Sequence, residues 1–203
     1  MTTAVSPAPV THLLYLHGFR SSPQSTKARI VGAWMAAHAP GVVWHCPQLP
    51  ASPAAALREL RAATAGWPRA TTGIVGSSLG GYYATVLAEA LGAPVRAVLL
   101  NPAIEPARDL AGYVGEVTAW HSDVRFDFRA GFIDELRAMR PRDISAPGRY
   151  LAIIAKGDEV LDWREMSARY AGCHIELLEG SDHALSDFER DQLGLVLRFL
   201  GLA

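Results

Sequence analysis

The chain has few cysteines, almost no net charge and no long apolar run, and each of these shortages excludes a class of protein. Two cysteines among 203 residues, Cys46 and Cys173, show no metal-ligand spacing, so we expect neither a disulfide framework nor a metal centre. A formal net charge of -1 gives no basis for binding nucleic acid or a membrane surface. No apolar run approaches the roughly 18 residues of a membrane span. The N-terminal stretch lacks the basic region of a signal peptide, which favours a cytoplasmic protein.

The order of apolar and helical segments predicts one α/β domain over residues 1–203. Half of the residues are apolar and 19% are charged, which is typical of a globular chain. Residues 1–10 are expected to form a loose tail. Beyond them, helical patterns alternate with continuous apolar runs, as in strands that are covered on both faces. This alternation predicts a mostly parallel sheet of about six strands with helices on both faces. The predicted strands are 12–17, 42–46, 73–76, 95–101, 150–156 and 174–179.

One long segment, 104–145, interrupts the alternation. The patterns at 106–115 and 130–140 predict helices, and the stretch between them is polar and aromatic without a clear strand. A long insertion after the carboxyl end of a strand commonly lies over the ligand crevice of an α/β fold. We therefore expect a short helical, lid-like insertion or a wall of a substrate pocket. A packed excursion with no role in binding is the alternative.

The sequence GSSLG at 76–80 matches the pattern G-x-S-x-G with Ser78 at its centre. A nucleophilic serine on a sharp strand-to-helix turn tolerates only very small residues two positions before and after it. Ser78 has glycine at both positions, whereas the neighbouring Ser77 has Val75 and Leu79. The apolar run before the motif and the helical pattern after it complete the expected context. Ser78 is the predicted nucleophile, and a structural Gly/Ser turn is the alternative.

A serine needs a general base, and in folds of this kind the base is a histidine that follows both the serine and the acid. His183 lies in a polar turn directly after the last predicted strand, at the edge of the sheet where catalytic loops gather. His174 begins that strand and is expected to be a strand residue. His121 precedes the acid and fails the order, although it could contact substrate. His183 is therefore the predicted base.

The acid that orients this base is sought in the sequence GDEVLDW at 157–163. It offers Asp158, Glu159 and Asp162. Asp158 follows a buried strand immediately, whereas Asp162 and Glu165 have the spacing of a capping box at the start of the next helix. Asp158 is therefore the predicted partner of the imidazole.

Two backbone N–H groups are predicted to form an oxyanion hole. Leu79 lies at the N-terminus of the helix after the serine, where N–H groups point outward. Gly18 allows a turn that brings the N–H of Phe19 toward Ser78. The adjacent His17 is expected to tie this loop down by hydrogen bonds.

Six stretches, in this order, resemble the YqiA/YcfP-like small bacterial esterases of the α/β-hydrolase superfamily, over about residues 13–200. They are LLYLHGFRSSPQSTKA, CPQLPASPAAAL, IVGSSLGGYYATVLAE, VLLNPAIEP, GDEVLDW and GSDHALSDFE. The resemblance implies a compact hydrolase without the first two strands of the full fold. It also implies a triad of Ser78, Asp158 and His183. Arg20 stands where this family would have asparagine, which puts a cation near the mouth of the site.

The predicted reaction is hydrolysis of a carboxylic ester or thioester through an acyl-enzyme, with no metal or organic cofactor. The partner is then a small-molecule acyl ester or thioester. An acyltransferase or a C–C hydrolase on the same fold is one alternative, and a non-catalytic binding module is another. Candidates for the substrate pocket are Arg20, Tyr82, Trp120 and Trp163.

Overall fold

The computed structural model describes residues 8–120 and 124–203. Most of the predicted tail and His121 therefore lie outside the described residues. The strands are β1 (His12–Leu16), β2 (Val43–His45), β3 (Thr72–Ser77), β4 (Arg96–Leu100), β5 (Gly115–Thr118), β6 (Arg125–Phe128), β7 (Tyr150–Ala155) and β8 (His174–Leu178). The helices are α1 (Thr26–His38), α2 (Pro53–Thr64), α3 (Leu79–Leu91), α4 (Pro106–Asp109), α5 (Ala130–Met139), α6 (Trp163–Arg169), α7 (Phe188–Asp191) and α8 (Leu193–Leu200).

Six strands form one sheet in the order β2-β1-β3-β4-β7-β8, and every neighbouring pair is parallel. The predicted sheet is thereby confirmed. The chain first steps outward from β1 to β2 and then returns to the other side of β1 with β3. In an open α/β sheet, ligands bind at such a reversal, outside the carboxyl ends of the strands. The segments that follow β1 and β3 are therefore the first place to look for a site.

The core is divided between the two faces of this sheet. Alternate residues of β1 point to opposite faces, so Leu14 and Leu16 pack with α2 and α3, while Leu13 and Tyr15 pack with α1 and α8. All four are completely buried. Burying a leucine side chain stabilises a fold by roughly 1.5–3 kcal/mol. The continuous apolar runs thus have a direct physical cause, because each strand is covered on both sides.

Local sequence signals explain where two helices begin. The Ser52 hydroxyl accepts the N–H of Ala55 at 3.1 Å, directly before Pro53 at the start of α2. At α6, Asp162 accepts the N–H of Arg164 at 2.9 Å. The reciprocal half of the predicted capping box does not form, since the Glu165 carboxylate binds the guanidinium of Arg108 on α4 through two contacts of 2.8 Å.

The insertion 104–145 contains a feature that the sequence did not indicate. Strands β5 and β6 form an antiparallel hairpin between the two segments predicted to be helical. Each strand has only four residues, too few for a period of two to stand out. The first predicted helix is reduced to α4 and a 3₁₀ turn at Ala111–Tyr113. Near the end of the chain, α7 and α8 are two short helices separated at Gln192. None of the helices in the described parts of the chain is long and apolar enough to cross a membrane.

Candidate active site

Ser78 occupies the turn between β3 and α3 in a conformation that ordinary residues avoid. Its φ is 55° and its ψ is -121°, and a positive φ at a residue with a side chain stores strain. The surrounding backbone holds it there. The Ser78 N–H donates to the carbonyl of Leu100 at 3.0 Å. The Ser78 carbonyl accepts the N–H groups of Gly81 at 2.9 Å and Ala103 at 3.0 Å. This strained turn exposes the hydroxyl at the carboxyl edge of the sheet.

The two glycines of the motif are required by close approach of the backbone. A Cβ at Gly76 would lie 2.2 Å from the carbonyl oxygen of Gly80, and a Cβ at Gly80 would lie 2.0 Å from the carbonyl oxygen of Leu16. Both distances are far below any real contact of a Cβ atom. The spacing that identified Ser78 in the sequence therefore has a steric origin in the packing of α3 against β1 and β3.

The structure brings Ser78, His183 and Asp158 together in a hydrogen-bonded chain. His183 Nε2 lies 3.1 Å from Ser78 Oγ, and His183 Nδ1 lies 2.7 Å from Asp158 Oδ2. The Asp158 side chain is fully buried, whereas the His183 side chain is 20% exposed. When Nδ1–H donates to the carboxylate, Nε2 is left as an acceptor for the serine hydroxyl. This is the orientation that a general base needs.

The Asp158 carboxylate is itself fixed by the loop that it begins. Its Oδ1 accepts the N–H groups of Val160 and Leu161, both at 2.8 Å. Both oxygens of the buried carboxylate are thus hydrogen-bonded. The preceding Gly157 permits the loop to meet the histidine loop, because a Cβ at Gly157 would lie 2.2 Å from the carbonyl oxygen of Ser181.

Three side chains hold the backbone around His183, in a role that no sequence pattern indicated. Asn101, fully buried after β4, donates from Nδ2 to the carbonyls of Asp182 and His183 at 3.0 and 3.2 Å. Glu159 Oε2 accepts the N–H of His183 at 3.0 Å. The ammonium group of Lys27 donates a hydrogen bond to the carbonyl of Ala184, the residue after His183.

The two predicted oxyanion donors are free within the described part of the chain. Neither the N–H of Phe19 nor that of Leu79 donates to a protein acceptor there. The turn that carries Phe19 touches the serine, since a Cβ at Gly18 would lie 3.3 Å from Ser78 Cβ and 3.7 Å from its Oγ. An unpaired N–H next to a serine hydroxyl is suited to bind a developing oxyanion.

His17 ties this turn down as expected from the sequence. Its Nε2 accepts the N–H of Leu49 at 3.1 Å, and its Nδ1 lies 3.0 Å from the carbonyl of Gly18. Since Nε2 is an acceptor, Nδ1 carries the proton and donates to that carbonyl. The residue is 3% exposed, and burial lowers the pKa of its imidazole from the ordinary value. His17 is thus a neutral residue whose two hydrogen bonds hold the Phe19 turn in place.

The hairpin of the insertion is bonded to the same turn. Arg20 Nε donates to the carbonyl of Thr118 at 2.5 Å, and the N–H of Trp120 donates to the Arg20 carbonyl at 2.6 Å. The Arg20 guanidinium stacks over the Trp120 ring at 4.2 Å. The Phe19 ring packs edge-on against Phe126 and Phe128 at 6.0 and 5.0 Å. The insertion therefore lies against the turn that carries Phe19, the predicted oxyanion donor.

The other two pocket candidates lie elsewhere. Tyr82 is 4% exposed, and its hydroxyl donates to the carbonyl of Leu136 at 2.6 Å. Burial raises the pKa of Tyr82 to about 12, so the hydroxyl remains a donor that fastens α3 to α5. Trp163 lines an open groove of about 430 Å³ together with Asp158. The groove is lined by the loop that carries Asp158 and does not include Ser78. Trp163 therefore lies beside the acid rather than beside the nucleophile.

The parallel sheet, the strained serine turn and the loops after β7 and β8 together define an α/β-hydrolase fold. Similar folds occur in Est1E from Butyrivibrio proteoclasticus, with 16% identity, a TM-score of 0.71 and coverage of 97% of this chain and 88% of that one. Alpha/beta hydrolase domain-containing protein 10 from mouse matches with 15% identity and a TM-score of 0.67, covering 94% and 88%. The esterase domain of a Rhodothermus marinus protein matches with 21% identity and a TM-score of 0.63, covering 96% and 89%.

The chain belongs to the family described as Uncharacterised protein family (UPF0227), whose model matches residues 12–200. This match confirms the predicted YqiA/YcfP-like family and the predicted superfamily. It also spans every segment of the candidate site, from the Phe19 turn to the loop that carries His183.

Proposed function

We propose that the protein is a serine hydrolase of carboxylic esters or thioesters. The observation that carries this proposal is the hydrogen-bonded chain from Ser78 Oγ to His183 Nε2 at 3.1 Å and from His183 Nδ1 to Asp158 at 2.7 Å. It stands on a strained strand-to-helix turn with two unpaired N–H groups nearby. A structural Gly/Ser turn has no need for a buried carboxylate and an aligned imidazole.

In the first half-reaction, Ser78 Oγ attacks the carbonyl carbon while its proton passes to His183 Nε2. The Asp158 carboxylate stabilises the imidazolium through Nδ1–H. The N–H groups of Phe19 and Leu79 bind the oxyanion of the tetrahedral intermediate. The intermediate collapses, the bond to the leaving alcohol or thiol breaks, and His183 returns the proton to that leaving group.

In the second half-reaction, water replaces the leaving group. His183 Nε2 takes one proton from the water, and the resulting hydroxide attacks the acyl carbon on Ser78. The second intermediate expels the serine oxygen, which recovers its proton from His183. The products are a carboxylic acid and the free enzyme. An acyltransferase would use a second alcohol or amine at this step in place of water.

The hairpin and Arg20 are proposed to set the acyl specificity. Trp120 is 56% exposed beside the Arg20 guanidinium, a pairing of an aromatic face with a cation that suits an acyl group carrying an aromatic ring or a negative charge. One structure of Est1E holds ferulic acid, so a ferulate ester belongs among the substrates to test.

The test is hydrolysis of p-nitrophenyl esters from acetate to palmitate, together with methyl ferulate and an acyl thioester. Ser78→Ala is expected to lower kcat at least about 10³-fold, because the nucleophile is removed. Ser77→Ala is the matched control, since the neighbouring hydroxyl makes no hydrogen bond in the described part of the chain. If both variants hydrolyse the esters as well as the natural protein does, Ser78 is not the nucleophile. A folded protein that hydrolyses none of these compounds would favour a non-catalytic module.

A further inference from the structure

Lys27 makes an unusual contact with the loop that carries the proposed base. It lies in the first turn of α1, and its ammonium group donates to the carbonyl of Ala184, 157 residues further along the chain. The side chain is partly buried between α1 and that loop. The contact thus joins the helix after β1 to the residue next to His183.

The environment of Lys27 opposes its positive charge in two ways. The N-terminal turn of a helix carries a partial positive charge, which disfavours cations. Burial lowers the pKa of the ammonium group to about 8, against the opposing effect of the carboxylates of Asp182 and Asp158. A lysine in such a place would gain stability by moving into water. A charge kept where its surroundings disfavour it points to a role in the site.

We propose that Lys27 is a positioning residue of the site, whose ammonium group fixes the backbone beside His183 and whose charge opposes protonation of the imidazole. This proposal rests on the proposed function, in which His183 must be neutral to accept the serine proton. It assigns a role to a residue on α1, outside the three loops that carry the triad.

The charges around His183 explain why a cation is needed. Asp158 bonds the imidazole, Glu159 accepts the N–H of His183 at 3.0 Å, and Asp182 precedes it in the loop. These three carboxylates belong to this loop or bond it, and Lys27 is the cation that donates to the loop in the described structure. Removing its charge would leave these carboxylates unopposed beside the imidazole.

The direct test is an NMR titration of the His183 imidazole, which needs no substrate. Its resonance is assigned by comparison with His183→Gln. In Lys27→Met and Lys27→Gln the midpoint is expected to rise by about half a pH unit or more, since a nearby charge acts across a partly buried path. Lys27→Arg keeps the charge and should keep the midpoint. Arg29→Met removes a charge from the exposed side of the same helix and serves as the control.

The pH profile of kcat/KM for an ester is the second readout. In Lys27→Gln the acidic limb of this profile should shift to higher pH by the same amount as the titration midpoint. Simple loosening of the loop would instead lower kcat/KM equally at every pH. An unchanged midpoint in folded Lys27→Gln overturns the proposal, and this variant serves if Lys27→Met does not fold. A shifted midpoint in a protein that hydrolyses no ester supports the electrostatic coupling and overturns the proposed function.

Discussion

Replacing Asn101 with alanine tests how the site is joined to the core. Asn101 is fully buried, and its Oδ1 accepts the N–H of Ala155 at 2.8 Å while its Nδ2 donates to two carbonyls of the His183 loop. One side chain therefore links the ends of β4 and β7 to the proposed base. Asn101→Ala removes all three hydrogen bonds at once.

The expected loss follows from two contributions. The N–H of Ala155 is buried and would lose its acceptor, which costs about 1–3 kcal/mol. Asn101 also has a φ of 42°, a conformation that asparagine tolerates and that costs alanine about 1 kcal/mol. The free energy of unfolding should therefore fall by about 3 kcal/mol. Asn101→Gly loses the same hydrogen bonds without the backbone strain, so it should be about 1 kcal/mol more stable than Asn101→Ala.

Urea denaturation measures both differences, provided that the m-value stays constant. Ester hydrolysis should fall more than about tenfold in Asn101→Ala, because the loop that carries His183 loses two supports and small displacements strongly lower the rate. If Asn101→Ala stays within about 1 kcal/mol of the natural protein and hydrolyses esters normally, the proposed link between core and loop is wrong.

Three further predictions concern the serine turn and the loop beside it. Gly80→Ala should destabilise the fold by more than about 3 kcal/mol, because its Cβ would overlap with the carbonyl of Leu16. Gly131 lies in open space on α5, so Gly131→Ala should stabilise the fold by about 0.5 kcal/mol. Equal free energies of unfolding for the two variants would contradict this prediction. Ser78→Gly should raise stability by about 1 kcal/mol while abolishing hydrolysis, since glycine relieves the φ of 55°. A lower melting temperature would contradict this prediction. The lowered pKa of His17 means that the unfolded chain binds the proton more readily, so its contribution to stability is present above pH 6.5 and is lost as pH falls through the folded pKa. Between pH 7 and 5 the melting temperature of His17→Gln should therefore change less with pH than that of the natural protein. An equal change in both proteins would contradict this prediction.

Much of the fold could be predicted because its signals are local. Each central strand is a continuous apolar run, and the alternation with helices leaves few ways to arrange a parallel sheet. Ser78 was identified by the two glycines that its tight turn requires. His183 and Asp158 followed from their places after β8 and β7, where the strands of a parallel sheet all end at one edge.

The rest depends on contacts between distant parts of the chain. Asn101 meets a loop 81 and 82 residues away and Lys27 meets one 157 residues away, and no local pattern marks either pairing. The hairpin β5–β6 escaped detection because its strands are short. Tyr82 follows the serine by one helical turn, which made it a pocket candidate, but its side chain faces α5 and its hydroxyl is used in packing.

The central claim is that the hydroxyl of Ser78 is an activated nucleophile, and covalent labelling tests it most directly. The natural protein, Ser77→Ala and Ser78→Ala are treated with a fluorophosphonate, digested and analysed by mass spectrometry. We predict one phosphonate adduct on the peptide that contains Ser78, present in the first two proteins and absent from Ser78→Ala. A folded natural protein that takes up no label, or that carries it on another residue, would contradict the account.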